Sequence, residues 1–226
     1  MNWSIPLLVM SVLLTGCGEQ VSRDEKARVL AMGDSMLAWH RAEGKSIIQT
    51  VEERLDEEVV DRSVVGAQFT YFLPISGALG MNIGKQYRPG KWDWVILNGG
   101  GNDLWLSCGC VECDWMVDLL VSKDLKTGKV VDTIRKLRAG GSRVIYVGYL
   151  HSPGVNSLVD HCKDEDIEFE SRIAAFAAKD PGVHYLQVSR LVPAGDTSFH
   201  APDRIHPSRK ASKVIGEMIA DVILKN

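Results

Sequence analysis

The chain has 226 residues, with 26 Lys plus Arg against 29 Asp plus Glu and a formal net charge of −3. That mild balance, with no basic stripe anywhere, excludes an electrostatic surface for nucleic acid. No internal repeat or low-complexity tract is visible, which leaves roughly two hundred residues to bury one ordinary core.

Residues 5–14 form an apolar run too short to span a bilayer as a helix but suited to the core of a signal peptide. It ends in Leu14-Thr15-Gly16-Cys17, which resembles the bacterial lipoprotein box, where processing leaves the cysteine as the lipidated N-terminus. The segment before the run, Met1-Asn2-Trp3-Ser4, carries no Lys or Arg, a departure that keeps an ordinary secretory signal as the alternative. The resemblance implies a signal peptide over 1–16 and a polar tether over 17–26. It also implies an acylated Cys17 that anchors the protein to a membrane of the bacterial cell envelope, on the periplasmic side. Two acyl chains already suffice for stable anchoring.

The domain then occupies 27–226. Residues 27–32 (ARVLAM) are a compact apolar run, read as a buried parallel strand ending at Gly33. From 35 to 55, Met36, Trp39, Ile47, Ile48, Val51 and Leu55 keep helical spacing. The two Val-Val pairs in 57–65 predict a second strand, ending at Gly66. Glycines and prolines make 67–90 a loop with one irregular helix around 78–87. Trp92 and Trp94 alternate along a third strand, 92–97, which runs into Asn98 and three glycines. A loop follows to 113, then a helix over 114–138, with a possible break at Thr127-Gly128 and a stop at Gly140-Gly141. Strands at 143–149 and 183–188 bracket a helix at 164–179, and a long loop, 192–205, leads to a last helix at 208–224. Strands alternating with helices predict a three-layer α/β/α sandwich around a mostly parallel sheet of about five strands.

Polar and glycine groups follow each of the first three strands: Gly33-Asp34-Ser35, Gly66, and Gly100-Gly101-Asn102-Asp103. In open α/β sheets, sites form at these carboxyl ends. Near the C-terminus, Asp203-Arg204-Ile205-His206-Pro207 spaces an acid and a histidine three apart, close enough for the acid to hold the imidazole's tautomer. With Ser35 as the hydroxyl, these are the parts of a nucleophilic triad. Taken singly, Ser35 is an N-cap, Asn102 a turn former and His206 a surface histidine.

Their order is what gives them meaning. The four blocks resemble those of the SGNH (GDSL-type) hydrolases, named for a Ser, a Gly, an Asn and a His, and the likeness runs over 27–224. The resemblance implies a flavodoxin-like fold and a serine esterase working through an acyl-enzyme without metal or organic cofactor. Ser35 is then the nucleophile, His206 the general base and acid, and Asp203 its orienting partner. The oxyanion donors are the backbone N–H groups of Ser35 and Gly66 and the Asn102 side chain, while Asp34 and Asp103 brace loops. Lipid, peptidoglycan or polysaccharide esters are the substrates compatible with an envelope position. Two rivals remain: a catalytically silent envelope binding protein, and transfer of the acyl group to a sugar rather than to water.

Four further cysteines, Cys108, Cys110, Cys113 and Cys162, are even in number, which in an exported chain favours disulfides, one of them reaching Cys162. Metal ligation by the cluster with Cys162 or His161 is the alternative. Trp39 and Trp105 are candidates for touching substrate, and Trp92 and Trp94 for packing against helices. His40 and His200 are candidates for lining the cleft, and His151, His161 and His184 read as ordinary. If Cys17 carries the anchor, the wild type partitions into detergent while Cys17→Ser becomes soluble or stays uncleaved. Unchanged processing and membrane association in the variant would contradict the lipoprotein reading.

Overall fold

Four consecutive apolar residues form β1 (Val29–Met32), and all four are fully buried because helices cover both faces of the strand. β2 (Val59–Asp61), β3 (Trp94–Leu97), β4 (Arg143–Val147) and β5 (Val183–Leu186) join it in one parallel sheet of order β2-β1-β3-β4-β5. The structure, a computed structural model, describes residues 27–154, 157–193 and 195–226. Cys17, the apolar run and the tether lie outside the described residues.

The two-residue period of the strands divides the core. Leu30, Met32, Val95, Leu97, Val144 and Tyr146 face one layer, formed by α4 (Asp114–Leu120), α5 (Lys129–Ala139) and α6 (Lys163–Ala177). Val29, Ala31, Trp94, Ile96, Ile145 and Val147 face the other, formed by α2 (Ile47–Leu55) and α7 (Arg209–Lys225). Two short helices complete the set, α1 (Ser35–Ala38) directly after β1 and α3 (Pro74–Ser76) in the long β2–β3 connection. The predicted α/β/α layering and five-stranded parallel sheet are therefore the observed ones.

Several boundaries differ, each for a local reason. The helix expected over 35–55 is two helices, because Trp39 turns extended and His40 takes a left-handed φ of 63°. α2 then restarts from a capping box, with Ser46 and Gln49 each bonding the other's backbone N–H. The second strand pairs over three residues only. Beyond it, Asp61 Oδ1 accepts from both the N–H and the hydroxyl of Ser63, an Asx turn that draws the chain off the sheet and leaves Val65 exposed. The break at Thr127-Gly128 is complete, so α4 and α5 are separate helices. Trp94 packs in the core as expected, whereas Trp92 precedes its strand, half-buried, with its indole N–H on the Arg88 carbonyl.

Two disulfides close the cysteine cluster: Cys108–Cys113, and Cys110–Cys162 across 52 residues. Their Cα separations, 5.7 and 4.8 Å, suit unforced bridges, and no thiolate of the four is left for a metal. The longer bridge ties the loop after β3 to the start of α6. In the chain-entropy description such a closure stabilises by about 4 kcal/mol. Mild reduction should therefore lower the melting temperature, and unreduced peptide mapping should recover the 108–113 and 110–162 pairs. Four free thiols in the folded protein would contradict the pairing.

Candidate active site

The strand order fixes where a crevice must form. The chain leaves β1 towards β2 at one side of the sheet and later leaves β3 towards β4 at the other, so the connections diverge at the carboxyl ends of β1 and β3. Gly33-Asp34-Ser35 follows β1 at this point, and the segment ending in Asn102-Asp103 follows β3.

Gly33 is gripped by Gln86, whose side-chain oxygen accepts from its N–H at 2.6 Å and whose amide donates to its carbonyl at 2.8 Å. Ser35 is thereby set as the first residue of α1, under an Asp34 cap that accepts from the Met36 N–H. Across the crevice, Asn102 donates its amide to the Ala67 carbonyl at 3.1 Å, which draws it against the turn holding Gly66. Gly66 has φ +79°, and an added Cβ there would meet only the Met81 methyl at 3.5 Å, so backbone conformation rather than space calls for glycine. Gly100 is under the opposite constraint as well: a Cβ there would lie 2.3 Å from the Phe169 ring. Asp103 is fully buried and accepts from the N–H groups of Phe69 and Thr70 and from the Thr70 hydroxyl, bracing the loop that carries Gly66.

The Asp203–His206 block lies in a tight loop before α7 rather than within that helix. Ala201 N–H donates to the His206 carbonyl and Ser208 N–H to the Phe199 carbonyl, fastening the loop's two arms. Asp203 divides its carboxylate. Oδ1 accepts from the N–H groups of Ile205 and His206, both at 3.0 Å, while Oδ2 lies 2.7 Å from His206 Nδ1. Burial works to raise Asp203, but the His206 ring and these two N–H donors outweigh it and hold the carboxyl below its ordinary value. His206 Nε2 then lies 2.8 Å from Ser35 Oγ. The structure thus brings Ser35, His206 and Asp203 into one chain of hydrogen bonds, with Asn102 opposite.

A cavity of about 280 Å³ opens beside Ser35. Met36, Leu104, Trp105, Val159 and Ile205 give it apolar walls, and Tyr149, His151, Lys163 and Asp166 line it as polar groups. Trp105 stands in this wall. Trp39 does not: it stacks on His206 and lines a shallow groove outside, together with His40. His200 is buried and absent from the cavity wall, so its expected place in the cleft is not observed.

A family model described as GDSL-like Lipase/Acylhydrolase matches residues 31–214, from the end of β1 into α7, across all four blocks. The chain belongs to the GDSL-like lipase/acylhydrolase family. It is accordingly an enzyme that hydrolyses ester bonds. Solved structures of the same fold include a GDSL-like lipase from Bacteroides thetaiotaomicron, 16% identical, covering 89% of each chain at a TM-score of 0.61. A lipase from a goat rumen metagenome is 17% identical over 87% of this chain and 97% of its own, at 0.58. A protein described as an SGNH hydrolase from Slackia heliotrinireducens is 18% identical over 88% and 99%, at 0.59. At these identities the likeness is one of fold. No curated protein matches the chain significantly.

Sequence reasoning missed three members of this GDSL-family site. Tyr149 donates its hydroxyl to Asp34 at 2.6 Å and accepts from the Gly101 N–H at 3.0 Å, joining the first and third blocks. Gln86 had no signal at all in a glycine- and proline-rich stretch. His151 carries no motif in the sequence, yet it lies in the cavity wall 3.5 Å from Asp166 and 3.7 Å from Glu170. Burial, with the Glu170 charge beside it, pushes Asp166 up to about 7 against the opposing pull of His151. His151 is itself raised, first by the Glu170 carboxylate beside it.

The signs of these two shifts agree. An acid with a raised value binds its proton more tightly when folded, so its stabilising contribution is complete below 3.8 and is lost as pH climbs to about 7. The raised imidazole contributes below 6.5 and loses that contribution above. The melting temperature of the wild type should therefore fall more steeply between about pH 5 and pH 8 than that of Asp166→Asn. Parallel curves for the two proteins would refute the assignment.

Proposed function

We propose that Ser35, His206 and Asp203 are the catalytic triad of a carboxylic esterase, with the Ser35 and Gly66 N–H groups and the Asn102 amide as its oxyanion donors. The observation that carries this reading is the unbroken line from Asp203 Oδ2 through the His206 ring to Ser35 Oγ, at 2.7 and 2.8 Å. Ser35 Oγ attacks the ester carbonyl carbon while His206 Nε2 takes its proton, and the carbonyl electron pair moves onto oxygen. The Ser35 N–H, in the first turn of α1, is not needed within the helix and is free to donate there. Asn102 Nδ2 has two hydrogens; Ala67 takes one, and the other remains for the oxyanion. Collapse breaks the ester C–O bond, and His206 returns the proton to the departing alcohol. Water then attacks the acyl-enzyme, its proton passing through His206 to Ser35 as the acid leaves.

A cavity of about 280 Å³ sits at the small end of ligand sites, which supports a short acyl group or another compact arm beside Ser35 rather than an extended chain. Its lining combines Met36, Leu104 and Trp105 with Tyr149, His151, Lys163 and Asp166, which favours an acetyl or short acyl ester of an envelope carbohydrate or lipid headgroup. A lipid anchor on Cys17 would hold the enzyme beside such substrates at the envelope.

A fluorophosphonate should label the protein once, at Ser35, and Ser35→Ala should lose both labelling and turnover. His206→Ala should fall by about four orders of magnitude or more. Asn102→Ala should lower kcat by about a hundred- to a thousand-fold with little change in KM. Across aryl esters, acetate and butyrate should outrun dodecanoate. Labelling that persists without Ser35, or a preference for the longest chain, would overturn the corresponding half of the proposal.

A further inference from the structure

Where the first helix breaks, Trp39 and His40 turn towards the loop that carries His206. The Trp39 indole lies flat on the His206 imidazole, with ring centroids 3.7 Å apart and planes 6° from parallel. His40 Nε2 lies 3.2 Å from the carbonyl oxygen of the next residue, Pro207. Two successive residues of one turn thus hold two successive residues of another, 167 positions away.

The stack restrains a motion that hydrogen bonds cannot. His206 is held at Nδ1 by Asp203 and at Nε2 by Ser35, and both bonds lie at the ring's edge. An imidazole fixed at two edge atoms can still tilt about the line joining them. A parallel indole on its face stops that tilt, and the ring plane decides whether Nε2 aims at Ser35 Oγ.

The stack also acts on charge. The face of an indole is electronegative and attracts a cation above it, Trp more strongly than Tyr or Phe. Acting as the general base, His206 gains positive charge as it takes the proton of Ser35 Oγ. An attraction that grows as the proton moves lowers the barrier rather than tightening substrate binding. We propose that Trp39 is a positioning residue for His206 that sets its ring plane and preferentially stabilises its imidazolium form. This rests on the reading of Ser35 and His206 as nucleophile and base.

The test compares Trp39→Phe, Trp39→Tyr and Trp39→Leu with the wild type on a short-chain aryl ester, beside Ser35→Ala and His206→Ala. Trp39→Leu should lose roughly 3- to 30-fold in kcat, with KM changed by less than about twofold. Phe and Tyr should lie between Leu and Trp. The ascending limb of the kcat/KM profile should move to lower pH in Trp39→Leu, because the charged ring has lost its favoured surface. Asp203 and Asp34 face His206, His40 borders Pro207, and Glu43 and Arg209 stand behind His40. All of these are kept in every variant. If Leu at 39 prevents folding, the order Trp, then Tyr and Phe, in the position of that limb still decides. An unmoved limb, a loss expressed in KM, or a Phe variant no better than Leu would overturn the proposal. Turnover surviving in Ser35→Ala or His206→Ala would overturn the triad reading and this one together.

Discussion

Asp34 is a carboxyl group sealed within the protein directly before Ser35, and the arrangement of the crevice follows from how its two oxygens are used. One accepts from the Met36 N–H and starts α1; the other accepts from the Tyr149 hydroxyl, just beyond β4. Tyr149 in turn accepts from Gly101, just beyond β3. Three strand ends are therefore coupled through one buried acid. Burial pushes Asp34 up to about 6 despite these donors, and pushes the Tyr149 phenol well above its ordinary value. Leaving any member of this chain unpaired would strand a polar group away from water at about 1–3 kcal/mol. That penalty is what fixes the relative positions of Ser35 and Asn102.

The histidine reaches this frame from the far end of the chain by a different device. Its loop has no regular structure, so its shape comes from a carboxylate that serves backbone and side chain at once. Asp203 Oδ1 shapes the turn and Oδ2 orients the ring, so the imidazole's direction and the path of the loop cannot vary independently. Asp103 plays a parallel part under the second block, fully buried with three donors from Phe69 and Thr70. Acids in the four blocks thus divide into one partner of the histidine and two that build the scaffold. Burial raises both scaffold acids, whereas Asp203, bound to the histidine, is lowered.

How much of this was legible in the sequence depends on the range of the interaction that decides each feature. Strands such as Val29–Met32 and Trp94–Leu97 are short apolar runs with glycine just beyond, a local signal, and they form where expected. Ser35, Asp203 and His206 carried a signal through their order along the chain. The break at His40 did not, because a left-handed turn at a non-glycine residue leaves no compositional mark. Neither did Tyr149, 115 positions from Asp34, nor Gln86, 53 from Gly33. Each is a polar side chain whose partner exists only once the sheet has assembled. Trp39 was legible as a residue near Ser35 but not as one that faces the histidine, because helical spacing predicted an unbroken helix through it.

The same long-range bonds decide which parts of the site can change independently. Tyr149 meets Asp34 through its hydroxyl, while its backbone N–H donates at 2.6 Å to Glu170, the buried acid behind His151. The polar end of the cavity and the cap of the helix that begins at Ser35 are therefore two ends of one residue. A substitution that displaces Glu170 should disturb Ser35 as well as the cavity. Part of the apolar wall is supported otherwise. Leu104 and Trp105 stand on the loop after β3 and Val159 on the segment before α6, two irregular stretches held together by the Cys110–Cys162 bridge. The bridge thus holds this part of the cavity wall by a covalent link, whereas Ser35 is placed by the hydrogen bonds of Asp34.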